Sequence, residues 1–410
     1  MSWDMHCAPW FCKETHGLKL FIFKKHPLVV SHDCLLNITP VEDSSVLDEL
    51  FKYSTTWKTW SKVDGARTLP SARRQHSMTA VGHDIYIFGG KTTTLSSGLS
   101  DLLVHQASRF HDWTSSFGLS SFTRIYDNDI IRVAHNVDWG FSVDLCSISI
   151  LPCSLKIVAE GATRTNATLR RLANSTITCD AANDCKGFSL EGVIVACSNQ
   201  ISKMPPLQAA GIGTSITVTD SDFEDCRSEA AGGAILVTDG AVIDVSGSSF
   251  KRSSTAMAIL GAHASIVDSK FTDCRAPEGQ GGALLVQDFP SYPTPVPSTL
   301  RLQRCEFARN SANEGGSVAM MHSGEAIIAS CIFTANSATQ SGGAVAMVNF
   351  DQVTISESRF EDNRASGPGG GALYGSLTFV DLAANFFLRN SATEGGGGAF
   401  FWNGKQFKMS

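Results

Sequence analysis

Residues 305–317, Cys305-Glu-Phe-Ala-Arg-Asn-Ser-Ala-Asn-Glu-Gly-Gly-Ser317, return with little change as residues 331–344, Cys331-Ile-Phe-Thr-Ala-Asn-Ser-Ala-Thr-Gln-Ser-Gly-Gly-Ala344. Two further versions follow, so that Phe307, Phe333, Phe360 and Phe387 each stand three residues before Asn310, Asn336, Asn363 and Asn390. The steps between the phenylalanines are 26, 27 and 27 residues. Each phrase closes on a glycine doublet, at Gly315-Gly316, Gly342-Gly343, Gly370-Gly371 and Gly397-Gly398, followed by Ser or Ala. A fixed period of that length marks stacked supersecondary units, each contacting only its neighbours.

Upstream the phrase is looser but still in register. Phe223 with Cys226 and Phe271 with Cys274 are followed by Gly232-Gly-Ala and Gly281-Gly-Ala. Phe250 with Ser253 marks a degenerate coil in which Ala256-Met257 replaces the doublet. Between phrases run alternating segments such as Ala241-Val-Ile-Asp-Val-Ser246 and Val353-Thr-Ile-Ser-Glu-Ser358, which read as strands with one buried face. Stacked coils would place equivalent residues ~4.8 Å apart. Inward phenylalanines would then form a ladder of rings, and turn asparagines a ladder of amides. Paired glycines suit a corner that needs positive φ and has no room for a Cβ. The step from Phe271 to Phe307 is 36 residues, the excess lying in Asp288 to Ser298 with Pro290, Pro293, Pro295 and Pro297; a stiff extended surface loop is expected there.

These phrases resemble the polymorphic outer membrane protein repeat of chlamydial surface proteins, over about residues 215–404. The resemblance implies a right-handed parallel β-helix displayed at a cell surface, often with an adhesive role. Cys226, Ser253 and Cys274 in place of Asn depart from the pattern, as do the missing glycines near Met257. The expected fold class is therefore all-β, a pectin-lyase-like solenoid over residues 155–410, with 116–154 as linker or cap and 1–45 unassigned.

A second periodicity precedes it. A segment from Asp48 leads to Trp60, and 53 residues later one from Asp101 leads to Trp113. Between them stand Pro70, Arg73, His76, the strand-like Asp84-Ile-Tyr-Ile-Phe88 and the doublet Gly89-Gly90. Over residues 46–115 this looks like a kelch motif, which implies a propeller blade. His105 replaces the second Tyr of that motif. A lone blade leaves open edges, so a fragment of a larger protein is the expected reading.

Composition narrows the function classes. A net charge of -6 gives no reason to expect nucleic acid as a partner. Neither an apolar run long enough to span a membrane nor a signal-peptide plan is visible. The 12 cysteines make no zinc pattern. Local disulfides are open for Cys146 with Cys153 and for Cys179 with Cys185, and Cys305 and Cys331 stack within bridging reach. Cys226 and Cys274 are expected as small buried fillers. Asn166 and Asn174 fit glycosylation sequons.

For chemistry, a lyase or hydrolase would need several acidic side chains on one face. Asp220, Asp222, Asp225, Asp268 and Asp273, with Glu361 and Asp362, are the candidates; each coil offers such a residue, so a solvated wall is the plainer account. The reading from sequence is a non-enzymatic surface or secreted protein for adhesion or protein contact, with a protein or glycan ligand, no cofactor, no metal and no assigned catalytic residue. A carbohydrate-active β-helix enzyme is the alternative, and an intracellular kelch-type scaffold the third.

Overall fold

The computed structural model describes residues 167–409 apart from 173–174, 199, 289–295 and 405, together with separate strands before residue 167. The chain divides into two units, Met1–Arg109 and Phe110–Ser410.

In the first unit, six strands from Glu14–Thr15 to Thr59–Lys62 form an antiparallel sheet in sequence order. Ser77–Val81, Asp84–Phe88 and Leu102–Gln106 form a separate three-stranded meander. Trp60 lies on a strand of the first of these sheets. Trp113 lies on Phe110–Trp113, which pairs in parallel with Ile130–Val133 in the second unit. The two tryptophans taken as kelch markers thus stand in different sheets, while Arg73, His76, Gly89 and Gly90 lie outside the described residues.

The second unit is a parallel β-solenoid. Its first sheet has twelve strands, its second and third ten each, and five short strands make a fourth along the later coils. The first sheet runs in order through Phe110–Trp113, Ile130–Val133, Ser154–Ala159, Gly187–Glu191, Ser215–Thr219, Val242–Ser246, His263–Val267, Ser298–Gln303, Gly324–Ala329, Gln352–Ser356, Phe379–Ala383 and Gln406–Met409. Stacking therefore reaches upstream of residue 155. The Phe-Asn phrase does not mark those early strands because it belongs to the second sheet and the corner after it, and the early coils lack it. Among the described residues the only helical turn is the 3-10 segment Ala181–Asn183.

Strand alternation sets the core. Ile216, Val218, Ile243, Val245, Leu300, Leu302, Val353 and Ile355 of the first sheet all point inward and are buried. From the second sheet comes the aromatic column Phe223, Phe250, Phe271, Phe307, Phe333, Phe360 and Phe387, with successive ring centroids 4.7–5.0 Å apart. One coil pitch is close to the contact distance of two rings, so the same residue on every coil fills the core without gaps.

The corner after the second sheet is held by amides. Asn310, Asn336 and Asn363 are fully buried. The backbone N–H of Asn310 donates to Asn336 Oδ1 at 2.9 Å, and that of Asn336 to Asn363 Oδ1 at 3.0 Å. Each Nδ2 also reaches a phenylalanine carbonyl, Asn336 Nδ2 to Phe307 O at 2.9 Å. Where the phrase departs from Asn, a shorter group does part of this: Cys226 N–H donates to Ser253 Oγ at 3.3 Å. The opposite corner uses both properties of the doublet. Gly342 adopts φ 65°, and a Cβ on Gly343 would run into the carbonyl of Gly371 in the next coil.

Among the described residues two disulfides fasten the early coils, Cys179–Cys185 and Cys197–Cys226. Cys226 is therefore not the free filler expected from its spacing to Cys274; its partner lies one coil back, at Cα–Cα 4.9 Å, in a strand that carries no repeat phrase to flag it. Cys274, Cys305 and Cys331 are buried free thiols. Cys305 and Cys331 stack without bridging, the N–H of Cys305 donating to Cys331 Sγ at 3.4 Å. Cys146, Cys153, Asn166, Asn174 and most of the proline-rich insertion lie outside the described residues.

Candidate functional site

The acidic residues singled out by position are largely consumed by the stack itself. Asp225, Asp273 and Asp362 occupy the left-handed corner after the second sheet, at φ 59°, 58° and 54°. Each takes a two-pronged contact from the arginine at the same corner of the next coil. Arg252 holds Asp225 at 2.8 and 2.9 Å, Arg309 holds Asp273 at 2.9 Å through both prongs, and Arg389 holds Asp362 at 2.7 and 2.9 Å. Asp268 is held in the same way by Arg304, at 2.7 and 2.9 Å, one corner earlier. Glu361 is shared by Arg359 and Arg389. Asp220 sits at the corner that Asp268 occupies, and Asp222 on the outer side of the second sheet. A like residue on every coil would repel its neighbour; alternating Asp with Arg removes that cost.

In each of these pairs the hydrogen-bonded guanidinium holds the carboxyl below the usual carboxylate range. A carboxylate whose folded pKa is depressed adds stability above its unfolded pKa and loses it as pH falls through the folded value. The contribution should therefore start to fall away below pH about 4, and it is small because the pairs are exposed. Melting from about pH 5 down to pH 2.5 should show a shallower loss for Asp273→Asn than for the unaltered protein. Parallel curves for the two proteins would refute this account of the corner pairs.

The outer face of the first sheet carries a further set of outward groups. Its middle outward column reads Lys156, Ser189, Thr217, Asp244, Ser265, Arg301, Ile327, Thr354, Asp381 and Lys408 by strand register. The column beside it runs Val242, His263, Thr299, Glu325, Gln352 and Phe379. At the ends, Lys156 pairs with Glu191 at 2.8 Å and Lys408 with Asp381 at 3.4 Å. In the middle, Asp244, Arg301 and Glu325 are exposed, and none makes an ion pair with a described residue. His263 Nδ1 and Thr299 Oγ1 stand 2.9 Å apart beside them. Parallel strands with little side-chain bulk make this a long, hydroxyl-rich and amide-rich strip. Exposed Ile327 and Phe379, 48% and 43% accessible, add apolar platforms at its far end.

Sequence reading did not pick out Asp244, His263, Arg301 or Glu325. Their signal was the outward position of each alternating segment, which becomes a surface only when the segments are aligned coil on coil. The same alignment limits the chemistry. Asp244 and Glu325 are three coils apart, ~14 Å at ~4.8 Å per coil, beyond the roughly 5–9.5 Å that separates acid and base in glycoside hydrolysis. The acids with shifted pKa values are all pushed down, opposite to what a general acid requires. Among the described residues no group of three or more His, Cys, Asp or Glu side chains could hold a metal ion, and no helix is long and apolar enough to cross a membrane.

Residues 207–410 match the family model described as right handed beta helix region. The second unit is thus a right-handed parallel β-solenoid. A solved structure similar to the chain is the catalytic domain of a GH87 alpha-1,3-glucanase in complex with nigerose, at 11% identity and TM-score 0.33, covering 94% of this chain and 83% of that one. No curated protein matches the chain in sequence. The main reading from sequence, a non-enzymatic adhesive wall, is corrected here: that solved structure is a carbohydrate-active catalytic domain, and it stands with the alternative. At that degree of likeness it transfers no residue and no site.

Proposed function

We propose that this right-handed parallel β-helix is a carbohydrate-active protein that lays a glycan along the outer face of its first sheet. The observation that carries the reading is the unpaired trio Asp244, Arg301 and Glu325, set among Ser265, Thr299 and His263 on an otherwise flat strip. At the corner after the second sheet, by contrast, Asp225, Asp273 and Asp362 are each held by an arginine of the next coil. Here, among the described residues, three charged groups are left without an ion-pair partner on coils that repeat every ~4.8 Å, and free polar groups on a rigid scaffold are what sugar hydroxyls need.

The test is affinity electrophoresis through gels containing single polysaccharides, with reducing-end release measured on the same panel. At least one glycan should retard the protein, and Arg301→Ala should abolish the retardation while leaving the melting temperature unchanged. Free migration through every glycan, with no sugar released, would end this reading.

Three finer points belong with it. The two disulfides support an oxidising, extracellular or cell-surface location. The Phe and Asn ladders fit the resemblance to the polymorphic outer membrane protein repeat over residues 215–404. The meander at Ser77–Val81, Asp84–Phe88 and Leu102–Gln106 is compatible with part of a kelch blade.

A further inference from the structure

Resting on the glycan-binding reading above, we propose that the ligand is a neutral polysaccharide: Asp244 and Glu325 accept its hydroxyl protons, Arg301 donates between them, and polyuronates are turned away. The charge on the strip argues for this. Lys156 and Lys408 are occupied by Glu191 and Asp381, which leaves, among the described residues of these two columns, two free carboxylates against one free guanidinium. At the corners of this sheet the exposed Lys186 stands two coils from Asp244, and the exposed carboxylate of Asp351, which accepts the Gly324 N–H at 3.0 Å, one coil from Glu325. Arg304 is taken by Asp268, and the corner before the sheet carries Asp239, His322, whose Nδ1 lies 3.2 Å from Asp288, and Asn349. The chain as a whole carries -6, so the long-range field has the same sign.

A polyuronate brings one carboxylate per sugar and would set a row of negative charges over Asp244 and Glu325. Like charges at such spacing are screened only over about a Debye length, ~8 Å in physiological salt. A neutral sugar meets no such cost. Its hydroxyls are both donors and acceptors, and a carboxylate can take two hydroxyl protons from one ring. The remaining outward positions are of the same kind: Thr217, Ser265, Thr354, Thr299 and Gln352 offer hydroxyls and an amide, without charge.

The experiment uses the full chain and five probes: a soluble α-glucan, a β-glucan, a galactomannan, polygalacturonate and alginate, titrated by calorimetry at low salt. A neutral polymer should bind at least tenfold more tightly than either polyuronate. The double variant Asp244→Asn with Glu325→Gln should lose about tenfold for the neutral polymer and gain for the polyuronates, because the repelling charges are gone while Arg301 stays. Both substitutions are isosteric and exposed, so unchanged circular dichroism is expected. Tighter binding of a polyuronate by the unaltered protein, or neutral binding indifferent to the double variant, would overturn the neutral-ligand inference and leave the glycan-binding reading standing. Failure of all five probes would remove both.

Discussion

Phe333→Ala should destabilise the middle of the solenoid by about 4 kcal/mol, the range for deleting a buried aromatic ring from a packed core. Phe333 is fully buried, with Phe307 at 4.8 Å on one side and Phe360 at 4.7 Å on the other. Truncation removes two stacking contacts, worth roughly 0.5–1.5 kcal/mol each beyond burial. It also leaves a void that adjacent coils cannot close without losing their own strand pairing. Phe333→Leu, which keeps most of the volume, should lose less, about 1.5 kcal/mol. Phe387→Ala should also cost less, because that ring is only half-buried and stacks on Phe360 alone along the column. Because each coil touches only its neighbours, the damage should be local. Amide exchange should accelerate across about residues 300–365 and hardly at all in Ser215–Thr219 or Val242–Ser246. A loss spread evenly over the whole solenoid would contradict the one-dimensional account of its stability.

How much of this was written in the sequence depends on whether a residue acts by repetition or by pairing. Phe307, Phe333 and Phe360 fall at a fixed step, and one number, the period, places them over one another. Gly342 and Gly343 were legible for the same reason, since a doublet at a fixed place in every coil announces a corner that rejects side chains. The acidic candidates were legible in position and not in role. Asp225, Asp273 and Asp362 alternate with Arg252, Arg309 and Arg389 only when the left-handed corner of each coil is set on the next. In the linear sequence each is one charged residue among many. The Cys197–Cys226 disulfide and the free trio on the first sheet were hidden more deeply. Both depend on the exact offset between coils whose lengths vary, as the 36-residue step from Phe271 to Phe307 shows. Periodicity fixes an axis; it does not fix which outward side chains meet across it.

Arg171 makes the same point from inside the early coils. Its guanidinium is buried and meets only neutral acceptors, Ser175 O at 2.6 Å, Ser202 Oγ at 2.8 Å and Met204 O at 2.5 Å. Burial pushes its pKa down to about 10, so it remains charged at neutral pH. It stitches the corner after the second sheet in its own coil to the same corner of the next. The later coils give that work to a column of asparagines, which need no charge.

That column carries the second large effect. Asn336→Leu, nearly equal in volume and unable to hydrogen-bond, should cost about 3 kcal/mol or more, the sum of several buried polar groups left without partners at roughly 1 kcal/mol or above each. The backbone N–H and one Nδ2 proton of Asn310 both lose Asn336 Oδ1, and Phe307 O loses the Nδ2 donor at 2.9 Å. None of these groups can turn to water, since Asn310 and Phe307 are fully buried. Asn336→Ser should cost less, about 1–2 kcal/mol, because a hydroxyl can still accept the backbone N–H from the coil below, as Ser253 Oγ does for Cys226 at 3.3 Å. The most direct readout is hydrogen exchange at the Asn310 amide. It should quicken by about two orders of magnitude for the Leu variant, a decade for each 1.4 kcal/mol, and by about one for Ser. If the Leu variant protects that amide as well as the unaltered protein does, the amides are passengers of the strand pairing, and the recurrence of Asn every 26 or 27 residues needs another physical cause.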